Sequence, residues 1–580
     1  MPRLTSSAFR PSRPIRRGSA ILVLAAVTMT SACAMAADPK GAAADARAKA
    51  QVPTSYTISG NYVAARVAKR SGDFTAAAQF MRNIAALAPG DLDVQRDLFL
   101  VELRDGNIAE ALILAKRLPV DDKAPAFIPT MLAADDIAAG RFAEANERLI
   151  KMPDRGLNVI VAPLLRAWAL QGAGRTDEAL ELLKGLEGTH GFQATASVHR
   201  GLILEIKGDV AGAEAAYKAA EQTGGMSLRL AEILMGFYQA SGRADAVQAV
   251  YNQYTNEQPS ARLLNPSTNL RITTPRQGAA EALFGVGNSL RQEASRDPAL
   301  MFGYLALHLR PDFDLARLVV ADTLDAADSL DKAILLYRGI KPASEYSWPA
   351  RLRIASALDR SGDTAAAVDE LRAMARLRVD NAEPLISLGD ILRAHERFTE
   401  SASAYSDALK RIPAIERRHW TLLYSRGIAN ERSGQWKAAE ADFLKALEFE
   451  PEQPYVLNYL GYSWVDQGIN LERGRAMIQR AVELRPDDGY IVDSLGWVLF
   501  KMGDFAGAVR ELERAVVLKP QDPTINDHLG DAFWNAGRRE EARFQWRRAL
   551  SFKPSESDIA RIQNKLTDGV PQLAVVTKGE

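Results

Sequence analysis

"SGDFTAAAQFMRNIAALAP" (Ser71–Pro89) and "MGDFAGAVRELERAVVLKP" (Met502–Pro520) are nearly one phrase, written twice and more than four hundred residues apart. The glycine near the start of each is a marker. It recurs as Gly72, Gly106, Gly140, Gly174, Gly208 and Gly242, each 34 residues after the last. After a slip, a second run in phase carries Ala294, Asp328, Gly362 and Glu396 at that position. A third carries Gly434, Gly468, Gly503 and Gly537, spaced 34, 35 and 34. The phrase is one beat of a rhythm with fourteen units, and a fixed period of this size signals a repeat architecture rather than several unlike domains.

Two other positions keep time with the marker. Five residues after it stands a small residue, as at Ala77, Ala111, Ala179, Ala439 and Ala542, with Ser401 once and Val247 as the bulky departure. Seven residues before it stands another, as at Ala65, Ala167, Gly201, Gly389, Gly427 and Gly530, with Phe99 and Met235 as exceptions. Small side chains on two successive helices let their axes approach, so that ridges pack into grooves. The marker supplies the turn between them, where a positive φ is cheap without a Cβ. Proline often closes the unit, as at Pro89, Pro451, Pro486 and Pro520, and ends the second helix. Leu512, Ala515 and Leu518 are one instance of the apolar stripe at helical spacing.

A 34-residue helix–turn–helix period of this pattern resembles the tetratricopeptide repeat. The resemblance is closest in "YIVDSLGWVLFKMGDFAGAVRELERAVVLKP" (Tyr490–Pro520) and "PTINDHLGDAFWNAGRREEARFQWRRALSFKP" (Pro523–Pro554), and loosest from about 90 to 160. It implies an all-α, right-handed superhelical solenoid of about fourteen helix–turn–helix repeats. One unit cannot bury its own apolar face, so stability comes from stacked neighbours.

The expected organisation is a signal peptide at 1–36, a flexible linker at 37–57, and an N-terminal arm at 58–257. An insert or hinge loop follows at 258–278, then a C-terminal arm at 279–554, a capping helix at 555–566 and a flexible tail at 567–580. The signal rests on five arginines from Arg3 to Arg17 before any acidic residue, followed by an apolar run from about Ala20 to Ala32. That run is short for a permanent span. Cys33 is the only cysteine. In one reading "TSAC" is a lipobox and Cys33 is lipidated; in the other, cleavage after Ala36 discards it. Neither leaves a thiol for disulfides or a cysteine metal site. The insert, "QPSARLLNPSTNLRITTPRQG", reads as a loop between repeats, as a hinge, or as a loop folding into the groove. A smaller slip of four residues lies near Arg411–Trp420.

Several function classes drop out. The 72 basic residues balance the 72 acidic ones, so no excess positive charge argues for nucleic acid. The six histidines are scattered without H-E-x-x-H or metal-ligand spacing. "GVGNSLRQ" lacks a third glycine and lies inside a repeat, and no strand precedes "GYSWV". The repeats leave no room for an enzyme domain. We therefore expect no enzyme, no cofactor and no metal.

Function is left to the groove. The resemblance implies that the first helix of each unit lines a concave face, at positions six and three before the small residue and one and four after it. In the last three units these are Tyr455, Asn458, Tyr462 and Val465; Tyr490, Asp493, Trp497 and Phe500; and Thr524, Asp527, Asp531 and Trp534. They read as an aromatic strip with acidic flanks that could anchor an extended peptide and pair with its basic groups. A clamp for a C-terminal carboxylate needs basic groups and Asn where Asp493, Asp527 and Asp531 stand. The run Asn458–Asp504 also resembles the C-terminal repeats of large periplasmic lipoproteins, including the adaptor of a carboxy-terminal processing protease. That resemblance implies an exported adaptor, anchored at the outer membrane only through lipid, with protein or peptide partners such as a periplasmic protease and cell-wall hydrolases. The alternative is a structural subunit of an envelope complex for polysaccharide or protein export.

Overall fold

The structure is a computed structural model that describes residues 57–120, 125, 127–189, 191–257, 267, 270–292 and 295–570. The expected signal segment with Cys33, the linker at 37–56, most of the insert and residues 571–580 lie outside the described residues. The described residues carry helices and no strands.

The helices pair as hairpins in chain order. The first six are α1–α2 (Ile58–Ser71, Phe74–Leu87), α3–α4 (Leu92–Asp105, Ile108–Arg117), α5–α6 (Phe127–Ala138, Phe142–Ile150), α7–α8 (Asn158–Gly172, Thr176–Glu187), α9–α10 (Gln193–Lys207, Val210–Gly224) and α11–α12 (Leu228–Ala240, Ala244–Glu257). After the insert come α13–α14 (Pro275–Gln292, Arg296–Leu309), α15–α16 (Asp314–Asp325, Leu330–Arg338) and α17–α18 (Ser347–Arg360, Thr364–Leu377). The last five are α19–α20 (Glu383–Ala394, Phe398–Lys410), α21–α22 (Trp420–Arg432, Trp436–Phe449), α23–α24 (Pro454–Asp466, Leu471–Leu484), α25–α26 (Gly489–Lys501, Phe505–Leu518) and α27–α28 (Pro523–Asn535, Arg539–Ser551). A single helix, α29 (Glu556–Asp568), follows. These are the fourteen hairpins of the period, and the fold is an all-α solenoid of helix–turn–helix repeats.

The marker works as the period requires. Every marker glycine, from Gly72 (φ 81°) to Gly537 (φ 82°), is left-handed, and so are the non-glycine markers Asp328 (φ 61°) and Glu396 (φ 59°); the third, Ala294, lies outside the described residues. The small positions work too. Ala77, Ala111, Ala145, Ala179, Ala439 and Ala542 are wholly buried. A Cβ on Gly389, Gly427 or Gly530 would lie 2.4–2.5 Å from the ring of Tyr405, Phe443 or Trp546 on the second helix. Ser401, the one serine in its slot, donates its hydroxyl to the Gly389 carbonyl at 2.8 Å, so its polarity is satisfied in the contact. The four-residue slip is a single 3-10 turn, Arg417–His419, before α21.

The described residues fall into two compact units, divided within α18 at Leu371. In the N-terminal unit the helices after the insert pack with those before it. α13 lies against α5, α7 and α9, and α14 against α3, α4 and α5. Those odd-numbered partners are first helices, so this unit covers their inward face with its own chain. Gly278 of α13 sits so close to Trp168 of α7 that a Cβ there would fall 2.3 Å from the indole. Phe127 of α5 meets Phe302 of α14 with ring centroids 4.9 Å apart. In the C-terminal unit successive first helices touch in order, α19 to α21, α23 to α25 and α25 to α27.

Candidate functional site

Two groups of polar residues stand out, one in each unit. In the N-terminal unit Arg229 of α11 donates to Glu281 of α13 at 2.9 Å and to Glu232 at 2.7 Å. Arg310 adds a bond to Glu281 at 3.2 Å, and the Tyr346 hydroxyl donates to Glu232. Burial pushes Glu232 above its ordinary carboxyl value, and Arg229 opposes that shift. Arg104 to Asp297 and Lys332 to Asp105 tie α3 to α14 and α16 in the same way. Each charge has a partner inside the unit, so this network fixes α13, α14 and α17 in place and offers no open site. His199 on α9 behaves alike. Burial lowers it to about 4, and the neutral ring accepts a bond from Trp168 at 3.2 Å.

The residues expected to form the groove all lie in the C-terminal unit, on α23, α25 and α27. The structure separates them by exposure. Tyr490 is 45% exposed. Tyr455, Asn458, Tyr462, Trp497 and Trp534 are half-buried, while Val465, Asp493, Phe500, Asp527 and Asp531 are buried. Burial raises the Tyr462 phenol above its ordinary value, helped by the charges of Asp466 and Asp493. Asn458 Oδ1 and Trp497 Nε1 are buried without a hydrogen-bond partner among the described residues. The rim is basic: Lys519 lies 5.2 Å from the Tyr490 ring and Lys501 5.6 Å from the Trp497 ring.

The acidic flank is not free to meet a partner, because each aspartate is already engaged one repeat further on. Asp493 faces His528, whose Nδ1 lies 3.0 and 3.1 Å from its two carboxylate oxygens. Burial alone would lower the His528 pKa, but Asp493, with Asp527 and Asp531 behind it, outweighs that and raises it. The same imidazole stacks on Trp497, centroids 4.1 Å apart, and Trp497 stacks on Phe500 at 4.9 Å. Asp527 receives Arg561 at 2.6 Å and Lys565 at 2.9 Å, both from α29. Asp531 receives Lys565 at 2.6 Å and the Trp546 indole N–H at 3.0 Å. Gly569, just past α29, packs on Trp534 so tightly that a Cβ would lie 2.0 Å from the ring.

Arg561, Lys565, His528 and Trp546 are thus members that the groove pattern missed. A signal existed: His528 follows Asp493 by 35 residues, and Arg561 and Lys565 follow Asp527 and Asp531 by 34 each. Opposite charges one period apart on first helices mark a ladder between neighbours. Outside this ladder Tyr490 is exposed, and Tyr455, Tyr462 and Trp497 are half-buried. Among the described residues no group of three or more His, Cys, Asp or Glu is arranged to hold a metal. No described helix is long and apolar enough to cross a membrane.

A family model described as tetratricopeptide repeat matches residues 164–226, 352–415, 386–456 and 494–557. Those stretches match the tetratricopeptide repeat, and the described residues around them form the same helix–turn–helix hairpins. It is similar to the TPR repeat-containing protein PA4667 of Pseudomonas aeruginosa, at 27% identity over 201 residues. The match covers 34% of this chain and 32% of that protein, so it spans about a third of the relative's length. Similar solved structures include the APC/C hetero-tetramer Cut9–Hcn1 (14% identity, 89% of this chain and 96% of that one, TM-score 0.36). A second is YrrB, a TPR protein with an unusual peptide-binding site (20% identity, 33% and 97%, TM-score 0.26). A third is a tetratricopeptide repeat protein from Parabacteroides merdae (16% identity, 50% and 99%, TM-score 0.35).

Proposed function

We propose that this chain is an exported adaptor that holds a segment of a partner protein against the first helices of its C-terminal unit. One observation carries the reading: Tyr490 of α25 stands exposed, with Tyr455 and Tyr462 of α23 and Trp497 of α25 half-buried, while the aspartates of these first helices are already engaged. A strip of held aromatics gives contact area at low entropic cost, which is what a peptide-binding wall needs. The N-terminal unit acts as a rigid body, because its own α13 and α14 occupy the corresponding face. The basic and apolar N-terminal sequence ending at Cys33 supports export, with lipidation at Cys33 as the anchor at the outer membrane. The partner class on this reading is a periplasmic protease and the cell-wall hydrolases delivered to it.

Tyr490→Ala tests the wall with little risk to folding, since the side chain is half in solvent. Trp497→Ala is a poorer probe, because Trp497 supports His528 and Phe500. The expected result is loss of partners recovered from solubilised envelopes, with an unchanged melting curve. Recovery of the same partners by the variant would overturn the reading, and recovery of a polymer-export channel in place of a protease would replace the adaptor with a scaffold of an export complex.

A further inference from the structure

The first hairpin leaves a repeat interface open. Two and six residues into the stretch that starts at Asn61, α1 carries Val63 and Val67, 61% and 62% exposed. They stand two before and two after Ala65, the small residue of this helix. In six later first helices both of the same positions are closed, although Asp97 of α3 and Gly285 and Ser289 of α13 are not. Leu165 and Ala169 flank Ala167 at 0% exposure, and His528 and Ala532 flank Gly530 at 9% and 0%. Val63 and Val67 therefore belong to a face that α7, α9, α11, α21, α25 and α27 bury, and no described residue covers it. Tyr62 and Ile58, each 47% exposed, widen it.

The charges on α1 say what fits there. The helix has no acidic residue and three basic ones, Arg66, Lys69 and Arg70. Lys69 lies 3.9 Å from Asp97. Arg66 and Arg70 are exposed and make no ion pair among the described residues. At helical spacing Tyr62, Val63, Arg66, Val67 and Arg70 share one side of the helix. Valines and a tyrosine interleaved with arginines suit an interface of apolar and anionic layers, where the aliphatic stems sit low and the guanidinium heads reach phosphate. A second copy packed face to face would instead bring Arg66 and Arg70 against their own equivalents.

We propose that this face of α1 lies on an anionic lipid surface, and that it orients the N-terminal unit against the bilayer independently of any acyl anchor. The sequence makes the test clean, because Cys33 is the only cysteine. In the Cys33→Ser chain, Val63→Cys carries an environment-sensitive dye, and Val517→Cys, on the C-terminal unit and 79% exposed, carries it as the control. Vesicles of phosphatidylglycerol with phosphatidylcholine are expected to raise the Val63 signal several-fold and shift it to the blue, with no change at Val517. High salt, vesicles of phosphatidylcholine alone, and Arg66→Glu with Arg70→Glu should each abolish the response. No response to anionic vesicles overturns the proposal. A blue-shifted signal without lipid also overturns it: if it depends on concentration, a second copy covers the face, and if not, the chain's own N-terminal segment does.

Discussion

Replacing Gly530 by alanine sets two effects against each other and asks which wins. Gly530 lies inside α27, where alanine is the better helix former by about 1 kcal/mol. Packing opposes this. The new methyl carbon would sit 2.4 Å from both Cδ1 and Nε1 of Trp546, against an ordinary carbon contact of about 3.5 Å. Trp546 has nowhere to go. It is wholly buried, its N–H donates to Asp531 at 3.0 Å, and the Trp534 ring lies beside it at 5.4 Å. Overpacking costs about 1–3 kcal/mol, and loosening a bond to a buried carboxylate costs about 1.5 kcal/mol more. Net of helix propensity, the change should destabilise α27 and α28 by about 2 kcal/mol, or roughly thirty-fold faster exchange of their protected amides. Gly285→Ala in α13 is the matched control: nothing lies within 4 Å of its added Cβ, so the propensity gain should appear undiminished. Trp546→Leu should relieve most of the Gly530→Ala penalty when the two are combined. If Gly530→Ala slows exchange as Gly285→Ala does, close approach at the small positions is not what holds the hairpins together.

Other outcomes follow from the same structure. Glu396→Gly should stabilise its hairpin by about 0.5–1 kcal/mol, measured as a higher urea midpoint, because a left-handed φ of 59° strains a residue with a Cβ. Lys565→Met leaves Asp527 with Arg561 alone and Asp531 buried with the Trp546 N–H but no cation, a loss of about 3 kcal/mol. Since Ile562 is the one buried residue of α29, that helix should undock before the unit unfolds, read as fast hydrogen exchange confined to α29 and its contacts on α27. His528 has a folded pKa raised above the usual 6.5, so its pairing with Asp493 stabilises fully below that value and is lost as pH rises through the folded pKa. The stability gap between the parent chain and His528→Gln should therefore be widest in acid and narrow toward alkaline pH; a gap that widens with pH would contradict the pairing.

The hairpins were legible because their rules are local. A turn needing positive φ and two helices needing close approach write themselves at fixed offsets, which is why Asp328 and Glu396 could be placed at the marker by phase alone. The folding of α13 and α14 onto α5, α7 and α9 was not legible, because a first helix reads alike whether its inward face meets solvent or its own chain. Gly278 and Gly236 carried the trace of it. They are glycines off the register, and a Cβ on them would strike Trp168 and the Leu270 carbonyl. At the candidate site the aspartates read as free acid because their partners stand a whole repeat away. A local pattern cannot show a charge that is answered 34 residues later.

Photocrosslinking in cells, from single positions on first helices, tests the central claim most directly. A crosslinker at Tyr490 should capture a foreign polypeptide, and one at Leu165, sealed within the N-terminal unit, should capture none. No capture at Tyr490, or equal capture at both positions, would contradict the account.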